Sequence, residues 1–236
     1  MMLSVNDLRL QRGGKAVLHG IDLQVPPGEV TALLGANGAG KSSTVMAIGG
    51  ALPLTGGRIE VEGHALHGQR PERVRALGVA VVPEGHRVLG DLSVLDNLRA
   101  AATALPAARV TEAVEQVLAV FPELRVKLAL PARSLSGGQK QMVCIAQALI
   151  GKPRYLAIDE LSLGLAPTVV KRLVEVVQQV AREGVGVLLI EQFTTVALAV
   201  SSRAYVLERG RMAFAGSSEE LRSRPEILHS SYLAAA

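Results

Sequence analysis

Gly35-Ala36-Asn37-Gly38-Ala39-Gly40-Lys41-Ser42-Ser43 is the stretch on which the reading of this 236-residue chain turns. It follows a continuous apolar run, Val30–Leu34, and precedes the apolar segment Thr44–Ile48. A G-x-x-x-x-G-K-[ST] loop therefore lies between a strand and a helix, the context in which that spacing cradles phosphate. The glycines let backbone N–H groups turn inward, and the following helix N-terminus adds partial positive charge. Lys41 is expected to neutralise β- and γ-phosphates, and the Ser42 hydroxyl to ligate Mg²⁺. The bland alternative, a Gly-rich turn at a helix start, leaves the strand, helix and lysine together unexplained.

Working outward, Tyr155–Ile158 is a second apolar run, closed by two acids, Asp159 and Glu160. Ligands of open α/β sheets bind at the carboxyl ends of strands. Asp159 is thus a candidate for the Mg²⁺ shell and Glu160 for polarising an attacking water, against the alternative of a plain solvated strand end. Twenty residues before Asp159 stands Leu135-Ser136-Gly137-Gly138-Gln139, a serine and two glycines opening a helix. That is another anion-seeking N-terminus, or an ordinary N-cap. One γ-phosphate cannot easily be served by both surfaces of one polypeptide, whereas a head-to-tail dimer would let one subunit's second surface close over the other's nucleotide.

The remaining pattern predicts an α/β fold. Val79–Val82 and Val185–Ile190 are further continuous runs suited to a parallel sheet covered on both faces. Leu3, Val5, Ile21, Leu23, Val25, Ile59 and Val61 alternate with polar residues, which predicts an antiparallel N-terminal β region. Residues 84–151 look mostly helical. Val110, Ala113, Val114, Val117, Leu118 and Phe121 mark one helix face, and Met142, Val143, Ile145, Ala146, Leu149 and Ile150 a second stripe. The expected organisation is a single domain with a core of 1–83 and 152–236 and an inserted helical subdomain at about 84–151. Ser217-x-x-Glu220 reads as a capping box.

Composition narrows the classes. With 49% apolar and 19% charged residues, wholesale disorder is excluded. A formal charge of +4, spread along the chain, gives no footprint for a nucleic-acid partner. A single cysteine, Cys144, rules out an internal disulfide framework and a Cys-based metal cluster, and fits the reducing cytosol. No signal-peptide core is evident, and the longest apolar runs fall far short of the ~20 residues that span a bilayer.

With phosphate loop, signature and acid-terminated strand in this order, the chain resembles the ATP-binding cassette (P-loop) ATPases over nearly all of its length. Val17-Leu18-His19-Gly20, Val82-Pro83-Glu84-Gly85, Ser162-Leu163-Gly164-Leu165-Ala166-Pro167, Ile190-Glu191-Gln192 and Tyr205-Val206-Leu207-Glu208-Arg209-Gly210 make it similar to the ATPase subunits of branched-chain amino-acid importers. These phrases are shared with amide and urea importers. The resemblance implies ATP and Mg²⁺ as ligands and Glu160 as general base. It implies a second ATPase subunit, more often a different one, bringing Ser136 and Gly138 to the nucleotide. Membrane permease subunits, a periplasmic solute-binding protein acting indirectly and a place on the cytoplasmic face of the cell membrane are implied as well. A weakly hydrolysing regulatory half of an asymmetric pair is the alternative. A cassette ATPase acting on DNA or ribosomes is disfavoured, because one cassette fills the chain without a coiled-coil insert.

Several positions depart from the wider pattern. Glu84 occupies the place where most cassettes carry a glutamine that senses Mg²⁺ and the γ-phosphate. Gln192 stands at the switch histidine; it can hydrogen-bond a phosphate or water but cannot take up a proton's charge. Both are usual in the branched-chain group. Arg12 replaces the aromatic expected under the adenine, exchanging stacking of ~1–3 kcal/mol for a cation–π contact of roughly 0.5–1 kcal/mol, so weaker binding and loose base selectivity are expected. Leu161 replaces a common proline, and Ser162–Leu165 lacks an aspartate. His64-x-x-His67 is read as a surface turn, Cys144 as a buried or semi-buried thiol, and Arg70, Arg73 and Arg75 as a solvated helix face. Val88, Leu89, Leu92, Val94 and Leu95 are expected to pack the helical subdomain; the resemblance adds that this region receives permease helices.

Overall fold

The structure, a computed structural model, describes residues 2–228. Its strands are β1 (Leu3–Arg12), β2 (Lys15–Val25), β3 (Val30–Leu34), β4 (Gly56–Val61), β5 (His64–Ala65), β6 (Val79–Val82), β7 (Tyr155–Asp159), β8 (Gly186–Glu191), β9 (Arg203–Glu208) and β10 (Arg211–Ser217). The helices are α1 (Lys41–Ile48), α2 (Pro71–Ala76), α3 (Val94–Ala101), α4 (Ala107–Val120), α5 (Gly137–Leu149), α6 (Pro167–Arg182), α7 (Thr194–Val200) and α8 (Ser218–Ser223).

The alternating N-terminal segments form an antiparallel sheet in the order β2-β1-β4-β5. Leu3 faces Val25 on one side and Val61 on the other, and Val5 faces Leu23 and Ile59. Val5 and Leu8 are three residues apart, so a regular strand would turn them to opposite faces. A bulge between them, with Asp7 at φ 46°, restores Leu8 and Leu10 to the buried face. The strand opposite accommodates it with Gly57 at φ 80°, where a Cβ would stand 2.1 Å from the Asp7 carbonyl oxygen.

The continuous runs form the second sheet, ordered β10-β9-β3-β8-β7-β6, parallel except for β10. Because both faces are covered, successive side chains enter two cores. Ala32, Leu34, Ile158 and Leu189 join the helices α3–α7 on one face. Leu33, Ala157, Leu188 and Ile190 pack with α1 and the antiparallel sheet on the other. The register aligns Leu34 with Glu191 and Ile190 with Asp159. The carboxyl ends of β3, β8 and β7 therefore meet along one edge.

Between Val82 and Tyr155 the chain supplies α3, α4 and α5 with two short 3₁₀ turns. In α4 the stripe Ala113, Val114, Val117, Leu118 is buried and Phe121 closes it; Arg172 lies 5.9 Å over the Phe121 ring. Helix α5 differs from the expected stripe. Met142 to Ala146 are all buried, because α5 contacts α3, α4, α6 and β6, and only Gly137, Gln139, Lys140, Gln147 and Leu149 of the helix keep some exposure. Cys144 shares this burial, which pushes its thiol up to about 12. Ser217 caps α8 through the Glu220 N–H, and His67 Nδ1 lies within hydrogen-bond distance of the Ile59 backbone beside the β5 turn, 3.2 Å from its carbonyl oxygen and 3.3 Å from its nitrogen.

The arginine cluster is corrected in one member. Arg70 and Arg73 are exposed, but Arg75 is half-buried and donates to the Gln147 carbonyl at 2.7 Å and the Ala101 carbonyl at 3.3 Å. Its guanidinium thus caps the C-terminal ends of α5 and α3, where a cation is favoured, and ties them to α2. Arg75→Ala is expected to cost about 1–3 kcal/mol, the range for stranding partners of a charged hydrogen bond. That corresponds to a fall in melting temperature of about 2–12 °C for a chain of this size. Thermal unfolding followed by circular dichroism checks this, with Arg73→Ala expected to change little.

Candidate nucleotide cleft

The phosphate loop leaves the end of β3 through Gly35, whose φ is 149° and whose Cβ would stand 2.2 Å from the Leu207 carbonyl oxygen, so only glycine fits. The loop then closes on itself and on its neighbours, with Ala39 N–H donating to Ala36 O and Gly210 N–H to Ala39 O. Helix α1 starts at Lys41, three residues before the expected Thr44. Its N-cap is Gly40, which brings no side chain to satisfy the first-turn N–H groups. Those donors and the helix dipole are left for an anion.

Lys41 is buried, and its ammonium donates to the carbonyls of Gly35 at 2.8 Å and Ala36 at 3.0 Å. Burial lowers its pKa, opposed by the charges of Glu160, Asp159, Glu191 and Glu84. Asp159 ends β7 at 3% exposure and hydrogen-bonds the Ser42 side chain, while its Oδ1 has no partner among the described residues. Burial holds the Asp159 carboxyl above its usual range, against the Ser42 hydrogen bond that favours ionisation. Glu160 follows at φ 56°, a left-handed conformation that costs a glutamate about 1–3 kcal/mol. Its N–H is fixed to the Ile190 carbonyl at 3.0 Å, and its Oε2 is buried with no partner among the described residues. Burial raises the Glu160 carboxyl, helped by Glu84 and Asp159 and opposed by Lys41.

These groups border a cleft of about 470 Å³. Asn37, Gly38, Gly40, Lys41, Ser42 and Ser43 of the phosphate loop and α1 line it, together with Arg12, Val17, Glu84, Glu160, Leu163 and Gln192. Gly35 and Ala39 shape the loop from behind. Ser136, Gly137, Gly138 and Gln139 are not in this lining. They form the first turn of α5 and its cap: Ser136 Oγ accepts from Gln139 N–H, and Gln139 Oε1 from Ser136 N–H. Ser136 and Gly137 are exposed, while Gly138 is buried so close to Val169 that a Cβ would lie 2.6 Å from its Cγ1.

Sequence reasoning assigned no role to Glu191. It is 1% exposed and accepts from Ser162 N–H at 2.9 Å and Ser162 Oγ–H at 3.0 Å. The signal was present: Glu191 closes the apolar run 185–190 just as Asp159 closes 155–158.

A family model described as "ABC transporter" matches residues 18–162. The high-affinity branched-chain amino acid transport ATP-binding protein BraG of Pseudomonas aeruginosa is 38% identical over 96% of this chain and 97% of its own length. The probable branched-chain amino acid transport ATP-binding protein LivF of Archaeoglobus fulgidus is 32% identical over 87% of each. The lipopolysaccharide export system ATP-binding protein LptB of Escherichia coli is 28% identical over 93% of this chain and 92% of its own. Among solved structures, an ATP-binding subunit of an ABC transporter superposes with a TM-score of 0.85 at 30% identity, covering 99% and 98% of the two chains. A cassette in its ADP conformation, 24% identical, shares the fold with a TM-score of 0.84 over 97% of this chain and 98% of its own. A phosphate loop backed by an acid-terminated strand, in a chain so like these relatives from end to end, makes this protein a member of the ABC transporter family, one of its ATP-hydrolysing subunits.

Proposed function

We propose that this subunit binds Mg²⁺-ATP in the cleft, pairs head to tail with a second ATPase subunit, and energises import of branched-chain amino acids or related amides through membrane permease subunits. The observation that carries the site reading is the buried, partnerless Asp159 Oδ1 beside Ser42 and Lys41. A carboxylate and a hydroxyl are hard oxygen donors, and Mg²⁺ is usually held by one or two carboxylates plus substrate phosphates. The described residues contain no cluster of three or more His, Cys, Asp or Glu fit to hold a metal alone, which suits such a shared site. When bound, the ion neutralises phosphate oxygens and fixes their orientation.

This chain's own groups supply the rest. The α1 N–H groups and Lys41 hold the phosphates for in-line attack by water. Glu160, made more basic by burial, takes the water's proton at a carboxylate oxygen. Gln192 hydrogen-bonds the γ-phosphate or the water, and Glu84, which also lines the cleft, senses the ion. Ser136, Gly137, Gly138 and Gln139 serve the facing subunit's nucleotide. Arg12 lies over the base. A solute-binding protein delivers the cargo to the permease, and the subunit works peripherally on the cytoplasmic face; no helix among the described residues is long and apolar enough to cross a membrane. The near-full-length likeness to BraG supports the amino-acid cargo. Arg12, Glu84 and Gln192 in the lining favour one second reading, a weakly hydrolysing half of an asymmetric pair.

Hydrolysis by the purified subunit, alone and then with its partner ATPase and permease, decides between the two. Glu160→Gln is expected to slow turnover by ~10²–10⁴, the range for loss of a general base, while a fluorescent nucleotide still binds. Lys41→Ala is expected to lose both nucleotide retention and hydrolysis. Asp159→Asn removes a buried charge that has one unpaired oxygen, so the nucleotide-free protein should gain about 1 kcal/mol. That is a melting temperature about 2–4 °C higher, together with loss of Mg²⁺-dependent turnover.

A further inference from the structure

We propose that Glu191 is a positioning residue for hydrolysis: its buried carboxylate clamps the loop after β7 to the loop after β8, holding Glu160 and Gln192 in place in one cleft. The inference rests on the hydrolytic reading of that cleft.

The geometry is specific. Both carboxylate oxygens are engaged by one residue, Oε1 by the Ser162 N–H at 2.9 Å and Oε2 by the Ser162 hydroxyl at 3.0 Å. The Phe193 N–H also donates to the carboxylate. Glu191 directly precedes Gln192, and Ser162 lies two residues after Glu160 and directly before Leu163. Gln192, Glu160 and Leu163 all line the cleft. A single side chain therefore bridges segments 29 residues apart, each bearing a group that lines the cleft. The other tie between these strand ends near Glu160, from Glu160 N–H to Ile190 O, fixes backbone but not the loop beyond it.

The same loop reaches the signature turn. A Cβ on Gly137 would lie 3.4 Å from Leu165 Cδ2, and one on Gly138 would overlap Val169. Holding Ser162 thus also seats the chain that abuts Gly137 and Gly138.

Stability alone does not account for this carboxylate. The run Gly186–Ile190 is apolar and fully buried, and a leucine ending it would avoid desolvating a charge. Burial raises the Glu191 carboxyl even with three donors upon it. Three hydrogen bonds converging on two catalytic loops fit a geometric role, in which displacement of about 1 Å can cost ~10² in rate.

The test is steady-state ATP hydrolysis by the assembled transporter, with melting temperatures measured alongside. Glu191→Ala is expected to lower kcat by about tenfold to hundredfold, the usual cost of removing an outer-shell partner, with KM for ATP changed less than about threefold. Ser162→Ala should lower kcat in the same way. The double variant should be no worse than the more impaired single one, since both remove one clamp. Glu191→Gln, which retains an acceptor for the Ser162 N–H and whose amide N–H can donate to the Ser162 hydroxyl oxygen, should recover most of the activity. A smaller fall in kcat in Glu191→Ala, additive losses, or Glu191→Gln no better than Glu191→Ala would overturn the proposal. If Glu191→Ala does not fold, Ser162→Ala decides alone: unchanged kcat overturns the clamp, and reduced kcat at unchanged KM supports it. Absence of turnover in the unmutated transporter would sink the hydrolytic reading and the clamp together, whereas active unmutated protein leaves only the clamp at stake.

Discussion

One ammonium faces four carboxylates at the carboxyl edge of the parallel sheet. Lys41 is buried among the charges of Glu160, Asp159, Glu191 and Glu84, and every one of them pulls its pKa upward against burial. Such a site is short of positive charge even before a polyphosphate arrives. Closely spaced acids in low dielectric do not ionise together cheaply, and burial raises Asp159, Glu160 and Glu191 alike. An anionic ligand can enter only if further positive charge accompanies it. The uncapped first turn of α1 supplies part, and the proposed Mg²⁺ at Asp159 Oδ1 supplies the rest. Glu84, in the cleft lining, adds its own negative charge to the same balance.

The fold makes that crowding possible. Strands β3, β8 and β7 are parallel neighbours in near-equal register, so Leu34, Glu191 and Asp159 end at one level. The chain leaving β8 and β7 lines the cleft with Gln192 and Glu160, and the chain leaving β3 turns at Gly35 into the phosphate loop that lines the rest. Antiparallel neighbours would send alternate ends to opposite edges and divide the group. Burial of the sheet between two cores fixes the register, because a one-residue slip would exchange the sides faced by Leu33 and Leu34.

Elements whose cause is local were legible in the sequence. The runs 30–34 and 79–82 are the strands β3 and β6 without adjustment, and the phosphate loop follows β3 as its spacing requires. What escaped was decided by contacts distant in the chain. Arg75 reads as a solvated arginine on α2 until Gln147, 72 residues away, is brought to it. Helix α5 carries a stripe in sequence yet is buried beyond it, at Gln141 and Cys144, since other segments decide what lies against its second face. The bulge at Asp7 interrupts an alternation that looks continuous only because its end points suit the same face. Glu191 is the instructive case: the acid was visible, but its partner Ser162 is set by the pairing of β7 with β8.

The strain at Glu160 and the exposure of the signature turn lead to the same conclusion. A glutamate at φ 56° with a buried unpaired oxygen is held against its own preference, and strain of that kind persists where surrounding structure over-determines it. Here the over-determination comes from the Ile190 carbonyl on the Glu160 backbone and from Glu191 on the loop beyond. That loop runs from Glu160 to Leu165 and ends against Gly137, so one face of it belongs to the cleft and the other to the turn opening α5. The turn itself is not among the residues lining the cleft, its serine satisfied locally by Gln139. If the turn receives a nucleotide, that nucleotide is held by another chain. A change at Glu160 on hydrolysis would then be felt at the partner's site through residues 161–165, and a rigid anchor at Ser162 keeps such a short path from dissipating the displacement.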